Sequence, residues 1–311
     1  MLQRLAFSDL GTVEVPLALA LGVFDGLHRG HQAVIAEAIR SAREIGGLAG
    51  VVTFWPHPIQ VVAPHRAPAA IILHEAHREK VLSALHLDLL ITIEFDESFA
   101  NQEPEEFFEE LRGAPFLRSI AVGQDWKFGR KRRGDVDLLS SLARLNDIEV
   151  TAVAPVKEGG ERISSTRIRQ ALRDGNLDAV ERMLGRRYSV MGVVCEGRKL
   201  GRELGFPTAN LVPDEEQLPL EGVWAVRVLV DEERVPGMAN LGSRPTVSDE
   251  PELLLEVNLF DWDGELYGHS IEVVFVERIR DIEKFQGLEE LVAQLKRDRE
   301  KAKGILSKSD D

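Results

Sequence analysis

The chain has 311 residues, 44% of them hydrophobic, a net charge of -14 and a single cysteine. The length suits two domains, and the acidic balance excludes a general nucleic-acid binder, because phosphate backbones demand clustered Lys and Arg. Cys195 alone closes no internal disulfide and builds no zinc site, the N-terminus lacks signal-peptide order, and no apolar stretch approaches the ~20 residues of a membrane helix, so a soluble cytoplasmic protein is expected.

From the start to about Arg187, short apolar runs alternate with amphipathic stretches, the pattern of βαβ units around a mostly parallel sheet. Strands are expected at Leu17 to Val23, Leu48 to Phe54, Leu87 to Glu94, Ser119 to Gly123 and Ile148 to Pro155. Helices are expected at His31 to Ile45, Ala76 to Leu85, Pro104 to Leu111 and Val136 to Leu145, where apolar residues recur at three- and four-residue spacing. Ser164-Ser165-Thr166-Arg167-Ile168-Arg169 opens a further helix, and Leu177 to Leu184 gives one more before the basic joint Gly185-Arg186-Arg187. From Tyr188 to Arg280, short alternating runs at Val190 to Cys195, Val223 to Val230, Leu253 to Phe260 and Ile271 to Arg278, with turn signals such as Asp263-Gly264, favour an antiparallel barrel or sandwich. A terminal helix with Leu288, Leu291, Val292, Leu295 and Ala302 on its apolar face packs on that barrel, and Lys308 to Asp311 is a frayed tail. The expected domains are residues 1–184, a Rossmann-like α/β sheet, and 185–306, a β-barrel with its helix.

The segment Gly22-Val23-Phe24-Asp25-Gly26-Leu27-His28-Arg29-Gly30-His31 follows a buried strand and opens a helix, where free N–H groups and the helix dipole favour a phosphate. His28 and His31 are three apart, hence on one helical face, and both could donate to one phosphate as charge builds during displacement. A purely structural strand-to-helix connection is the plainer alternative. Ser164, Ser165 and Thr166 also stand at a helix start, where one hydroxyl suffices as a cap. Three hydroxyls beside Arg162, Arg167 and Arg169 supply more donors than a cap uses, which favours phosphate binding. His57, between Pro56 and Pro58, reads equally well as a backbone-satisfied loop residue, and Arg130 to Arg133 as a solvated loop that could draw in an anion.

Together these segments resemble the nucleotidyltransferase superfamily with its HxGH and SSTxxR signatures. Thr53-Phe54-Trp55-Pro56-His57-Pro58 and Val122-Gly123-Gln124-Asp125-Trp126-Lys127-Phe128-Gly129 narrow the resemblance to the FMN adenylyltransferase module of bacterial FAD synthetases. The resemblance implies that Gly22, Phe24, Asp25, Gly30, Arg162, Ser164, Ser165, Thr166 and Arg169 bind ATP, that His28 and His31 are catalytic, and that Asp125, Trp126 and Phe128 lie beside the flavin. Trp55 stands where that family often carries an acidic residue, and Asp125 where some members have Asn.

Farther along, Gly197-Arg198-Lys199-Leu200-Gly201-Arg202-Glu203-Leu204-Gly205 offers glycines with interleaved basic residues, either a mobile hairpin or a loop over phosphates. Thr208 and Asn210 lie two apart and so face the same way on a strand, and their neutral oxygens suit Mg²⁺ that already carries phosphate oxygens. This stretch resembles the GxxLGRxLGFPTANL signature of riboflavin kinases, with further matches at Gly222 to Ala225, Asn240 to Thr246, Leu255-Glu256-Val257 and Asp263 to Gly268. The resemblance implies ATP binding by Gly201, Arg202 and Gly205, metal binding by Thr208 and Asn210, and a catalytic base at Glu256. Alternation alone would make Glu256 a solvent-facing strand residue. Asn258 and Trp224 stand where relatives often have His and Tyr.

The two resemblances in tandem cover nearly the whole chain, which is identified as a member of the bacterial bifunctional riboflavin kinase and FAD synthetase family. They imply ATP as co-substrate, Mg²⁺, and riboflavin, FMN and FAD as substrates and products. Two other readings remain at this point: a kinase whose N-terminal module is a flavin-binding scaffold, and a non-enzymatic flavin carrier.

Overall fold

The computed structural model describes residues 2–66, 71–196, 201, 204–213, 220–231, 233–244 and 252–308. Its two compact units comprise residues 1–68 with 75–165, and 69–74 with 166–311.

In the first unit, β1 (Gln3–Leu5), β2 (Leu17–Leu21), β3 (Leu48–Trp55), β4 (Leu89–Glu94), β5 (Leu117–Gly123) and β8 (Glu149–Val153) form one sheet in the order β1-β4-β3-β2-β5-β8. Every pairing in it is parallel. Between strands lie α1 (Arg29–Glu44), the short α2 (Pro58–Val62), α3 (Glu75–Ser83), the single-turn α4 (Glu97–Ala100), α5 (Pro104–Arg112) and α6 (Val136–Arg144). All five residues of β2 are buried, as a central parallel strand covered on both faces requires. The five expected strands and four expected helices of this half fall within two residues of the observed ones. Not expected were the short helices α2 and α4, β1 at the sheet edge and the two-stranded ribbons β6 (Lys127–Phe128) with β7 (Gly134–Asp135) and β9 (Lys157–Glu158) with β10 (Glu161–Arg162).

Chain order places the site. From β2 the chain steps outward through β3 and β4, then returns to the other side of β2 as β5. The β2/β5 boundary is therefore the topological switch point, and the loops leaving the carboxyl ends of these two strands diverge to open a crevice. Those loops carry Gly22 to His28 and Gln124 to Trp126.

In the second unit, α7 (Ser165–Arg173), whose first residue belongs to the first unit, and α8 (Leu177–Leu184) precede β11 (Ser189–Cys195), β12 (Ala209–Pro213), β13 (Gly222–Val230), β14 (Glu233–Arg244), β15 (Glu252–Leu259) and β16 (Ser270–Arg280). The strands close into an antiparallel barrel in the order β11-β12-β15-β14-β13-β16. Of the two architectures the sequence allowed, a barrel is thus the one formed, with β12 and β14 as additional strands. Asp263-Gly264 lies in the connection from β15 to β16, which are not neighbours, so it is not a hairpin turn.

The terminal helix α9 (Leu288–Leu306) packs Val292, Leu295, Ala302 and Leu306 against Val223, Ala225, Met238 and Ile279 on the outer barrel wall. Leu288 departs from expectation: it is 57% exposed, because the buried stripe begins a turn later. Asp298 fills the slot between Leu295 and Ala302, buried, with Arg280 Nε donating to Oδ1 at 3.2 Å and Oδ2 at 2.9 Å and Nη2 lying 2.8 Å from Oδ2, and Gln294 donates to its Oδ1 at 2.7 Å. A carboxylate removed from water is tolerated here because both oxygens are hydrogen-bonded to a fork-shaped cation. The basic joint is no free linker either: Gly185 caps α8 in the left-handed conformation, and burial pushes the Arg186 guanidinium down to about 10, with Glu272 and Tyr188 opposing. Of the expected tail, Lys308 closes the last helical turn and the remainder lies outside the described residues.

Candidate active sites

In the first unit, β2 ends in a tight turn whose Phe24 and Leu27 hold positive φ (53° and 44°) around Gly26. Such angles are costly for side-chain-bearing residues and persist where the surroundings fix them. Both side chains are buried, and Thr53 Oγ1 donates to the Val23 carbonyl at 3.0 Å, tying the turn to β3. His28 is the N-cap of α1: its Nδ1 accepts the His31 N–H at 3.2 Å. That bond places the proton of a neutral His28 on Nε2. The two imidazoles stack 3.6 Å apart, and Phe24 meets His31 edge-on at 5.4 Å. Gly30 lets the stack sit close to the backbone: a Cβ there would lie 3.0 Å from His28 Cε1 and press on that ring.

Burial, then the neighbouring His28 and Arg162, hold the His31 imidazole well below the usual histidine range. Its Nδ1 is buried without a hydrogen-bond partner. An imidazole depressed in the folded state resists a proton that the unfolded chain accepts below about pH 6.5, so its contribution makes stability fall with acidification and leaves it flat above neutrality. In an imidazole nitrogen NMR titration without nucleotide, His31 is expected to remain neutral at pH 6; a midpoint at the ordinary histidine value would contradict the buried, stacked arrangement.

Ser165, first residue of α7, donates its hydroxyl to the Asp25 carbonyl at 2.9 Å, joining the second motif to the first. Ser164 precedes it, half-buried; Thr166 is exposed and Arg169 buried farther along the helix, in the portion grouped with the second unit. Arg162, on β10, is bidentate with Asp125, Nη2 to Oδ1 at 3.0 Å and Nη1 to Oδ2. Chiefly through that bond, the Asp125 carboxyl lies below its usual range. Beside Asp125, Trp126 stacks on Phe128 at 4.6 Å. Phe128 is buried in the core, against Phe107, and so backs Trp126 rather than standing open itself.

Three neighbouring groups take ordinary roles. His57 caps α2, its Nδ1 accepting the Ile59 N–H at 3.2 Å while Gln60 accepts the His57 N–H, which is the backbone-satisfied reading. Arg130 and Arg133 pair with Glu103 at 3.4 and 2.7 Å. Arg78 was not anticipated: it is buried over the Trp55 ring at 5.7 Å, with Nη2 unpartnered, and burial depresses its pKa against the charges of Glu75 and Asp25. It sits in an unremarkable charged helix, and only the fold brings it to the turn.

In the second unit, strand register assembles the other site. Asn210 on β12 is paired directly with Glu256 on β15, and Glu256 directly with Asn240 on β14. Paired residues project from the same face. Leu255 and Val257, on either side of Glu256, are fully buried in the barrel, so the row Asn210, Glu256, Asn240 lies on the outer wall. Thr208 precedes β12, half-buried, and the segment carrying it is pinned by Asn258, whose Nδ2 donates to the Pro207 carbonyl at 2.6 Å. Gly201 packs so closely on this segment that a Cβ would lie 2.3 Å from the Phe206 carbonyl oxygen. Gly205 holds φ 79°. Arg202 and residues 197–200 lie outside the described residues. Cys195 is a half-buried free thiol paired with Asn210 on its other side.

Neutral amide and hydroxyl oxygens at Asn210 and Thr208 are hard donors that suit Mg²⁺ delivered on phosphates. Among the described residues, no cluster of three or more His, Cys, Asp or Glu is placed to hold a metal, and no helix is long and apolar enough to cross a membrane.

Residues 12–167 match the family model described as FAD synthetase, and residues 184–306 that described as riboflavin kinase. The chain is 39% identical over 284 residues to the bifunctional riboflavin kinase/FMN adenylyltransferase of Escherichia coli K12, covering 90% of both chains. It is 34% identical to the protein of the same description from Listeria monocytogenes, covering 96% of this chain and 95% of that one. A solved chain described as a macrolide-efflux protein from Streptococcus pneumoniae superposes with a TM-score of 0.84 at 33% identity, covering 96% and 98% of the two chains.

Proposed function

The chain belongs to the bifunctional riboflavin kinase/FMN adenylyltransferase family, and from that membership we infer how its two sites perform the two steps. It phosphorylates riboflavin to FMN and transfers an adenylyl group from ATP to FMN, giving FAD and pyrophosphate. Residues 1–184 are assigned to the second of these steps and residues 185–306 to the first.

In adenylyl transfer an oxygen of the FMN phosphate attacks the α-phosphorus of ATP as the bond to pyrophosphate breaks. The nucleophile is already anionic, so alignment and charge stabilisation suffice and no general base is needed. His28, with its proton on Nε2, and His31 donate to the crowded α-phosphate. Gly22, Phe24, Asp25 and Gly30 shape the turn that receives ATP; Ser164, Ser165, Thr166 and Arg169 hold its departing phosphates with Arg162, which exchanges the Asp125 carboxylate for phosphate oxygens. Asp125 and Trp126, backed by Phe128, line the flavin.

Riboflavin phosphorylation starts from a neutral alcohol, a poor nucleophile at pH 7 that benefits from a positioned base. Glu256 takes the hydroxyl proton as the oxygen attacks the γ-phosphorus and ADP leaves. Thr208 and Asn210 would hold Mg²⁺, which supplies charge neutralisation to the ATP phosphates, and Gly201, Arg202 and Gly205 approach those phosphates. Dependence on ATP at both steps supports a cytoplasmic location.

The observation that carries this reading is the register that sets Glu256 directly beside Asn210, while the stacked His28 and His31 stand at the sheet's switch point. Chromatography of flavins after incubation with ATP and Mg²⁺, started in parallel from riboflavin and from FMN, is expected to show FAD in both. FMN without FAD would reduce the first unit to a scaffold, and no product from folded protein would revive a carrier.

A further inference from the structure

The outer-wall row has a third member, Asn240, to which no motif gives a role. Its Nδ2 donates to Glu256 Oε2 at 3.4 Å. The contact is built into the barrel, because β14 and β15 pair the two residues directly. Asn240 sits between Ala239 and Leu241, both fully buried in the barrel, yet is itself exposed on the outer wall. It therefore adds nothing to the core, and its amide is directed at the carboxylate beside it.

A glutamate has three side-chain torsions, and a base that samples many rotamers spends little time within reach of its proton. Rate depends on holding the acceptor oxygen at hydrogen-bond distance from the alcohol. An amide donor on Oε2 narrows the orientations open to the carboxylate that is to accept that proton. Asn210, on the opposite side of Glu256, is committed to the metal and phosphates in the reading above, whereas Asn240 on β14 donates to the carboxylate itself.

We propose that Asn240 is a positioning residue for riboflavin phosphorylation, acting through the Glu256 carboxylate. This rests on the assignment of Glu256 as the base. In the full chain, Asn240→Ala is expected to lower kcat for FMN formation about 10- to 100-fold, the range for a hydrogen bond to a charged group, while KM for riboflavin and for ATP stays within about twofold. Asn240→Gln, which keeps the amide donor, recovers most of the rate. In a Glu256→Asp background the shortened carboxylate no longer reaches the amide, so adding Asn240→Ala changes the residual rate by less than about twofold. An unchanged thermal transition and near-ultraviolet circular dichroism of each variant report an intact barrel throughout.

Equal losses from Asn240→Ala in both backgrounds, or a raised KM at unchanged kcat, would overturn the positioning role. So would a normal rate in Asn240→Ala when Glu256→Ala is inactive, an outcome that leaves the base assignment standing. Full kinase activity in Glu256→Ala would remove the base and the positioning role with it.

Discussion

Glu256→Gln is expected to lower riboflavin phosphorylation by about 10²- to 10⁴-fold, the usual worth of a positioned base, and to leave FAD formation from supplied FMN at its normal rate. The substitution preserves shape and the cross-strand neighbours Asn210 and Asn240, so the barrel is undisturbed. It removes the acceptor capable of taking a full proton. Loss should appear in kcat with little change in KM, because the proton moves only as the alcohol attacks. Separate assays from riboflavin and from FMN measure this. Equal loss of both activities in folded protein would mean that the two reactions do not occupy separate sites.

At the other site, His28 has two jobs that mutation can separate. As N-cap of α1 it accepts the His31 N–H, and as a proposed donor it presents Nε2–H to the α-phosphate. His28→Ala loses both, costing about 1 kcal/mol in helix capping and about 10²- to 10³-fold in adenylyl transfer. His28→Asp keeps a cap acceptor, cannot donate when ionised, and repels phosphate. It is expected to unfold near the normal temperature while losing at least as much rate as the alanine variant. If instead activity followed thermal stability across the pair, capping alone would explain the histidine, and catalysis would lie elsewhere.

How far the sequence was readable follows from where its information is local. The strand and helix periodicities between Leu17 and Val153 act over a few residues, and the elements lie where they point. β14 runs Glu233 to Arg244 through Pro236, Gly237 and Gly242, a composition that signals turns. Only its ladders with β13 and β15 make it a strand. β12 has five residues ending in Pro213, too few for alternation to register. The motif residues His28, His31, Ser165, Asn210 and Glu256 could be picked out because each lies in a long local pattern. The partners that fix them come from distant positions: Arg162 on Asp125, Ser165 on the Asp25 carbonyl, Asn258 on Pro207, and Arg78 over the Trp55 ring. Phe128 was visible as an aromatic of the flavin segment, but its burial behind Trp126 depends on Phe107 of α5, and no spacing within the segment records that.

The six-stranded barrel closes on itself and has no edge, whereas the parallel sheet has two. Its β4 edge, Leu-Leu-Ile-Thr-Ile-Glu, is a segment that would readily recruit another chain if left bare. The three residues of β1 cover it, and Arg4 anchors them to Glu79 on α3 while adding a charge to the rim. A strand too short to extend further, with a cation at its centre, makes a poor template for a further strand. A three-residue strand thus acts as the sheet's guard against aggregation, and removing it would endanger solubility before it touched either active site.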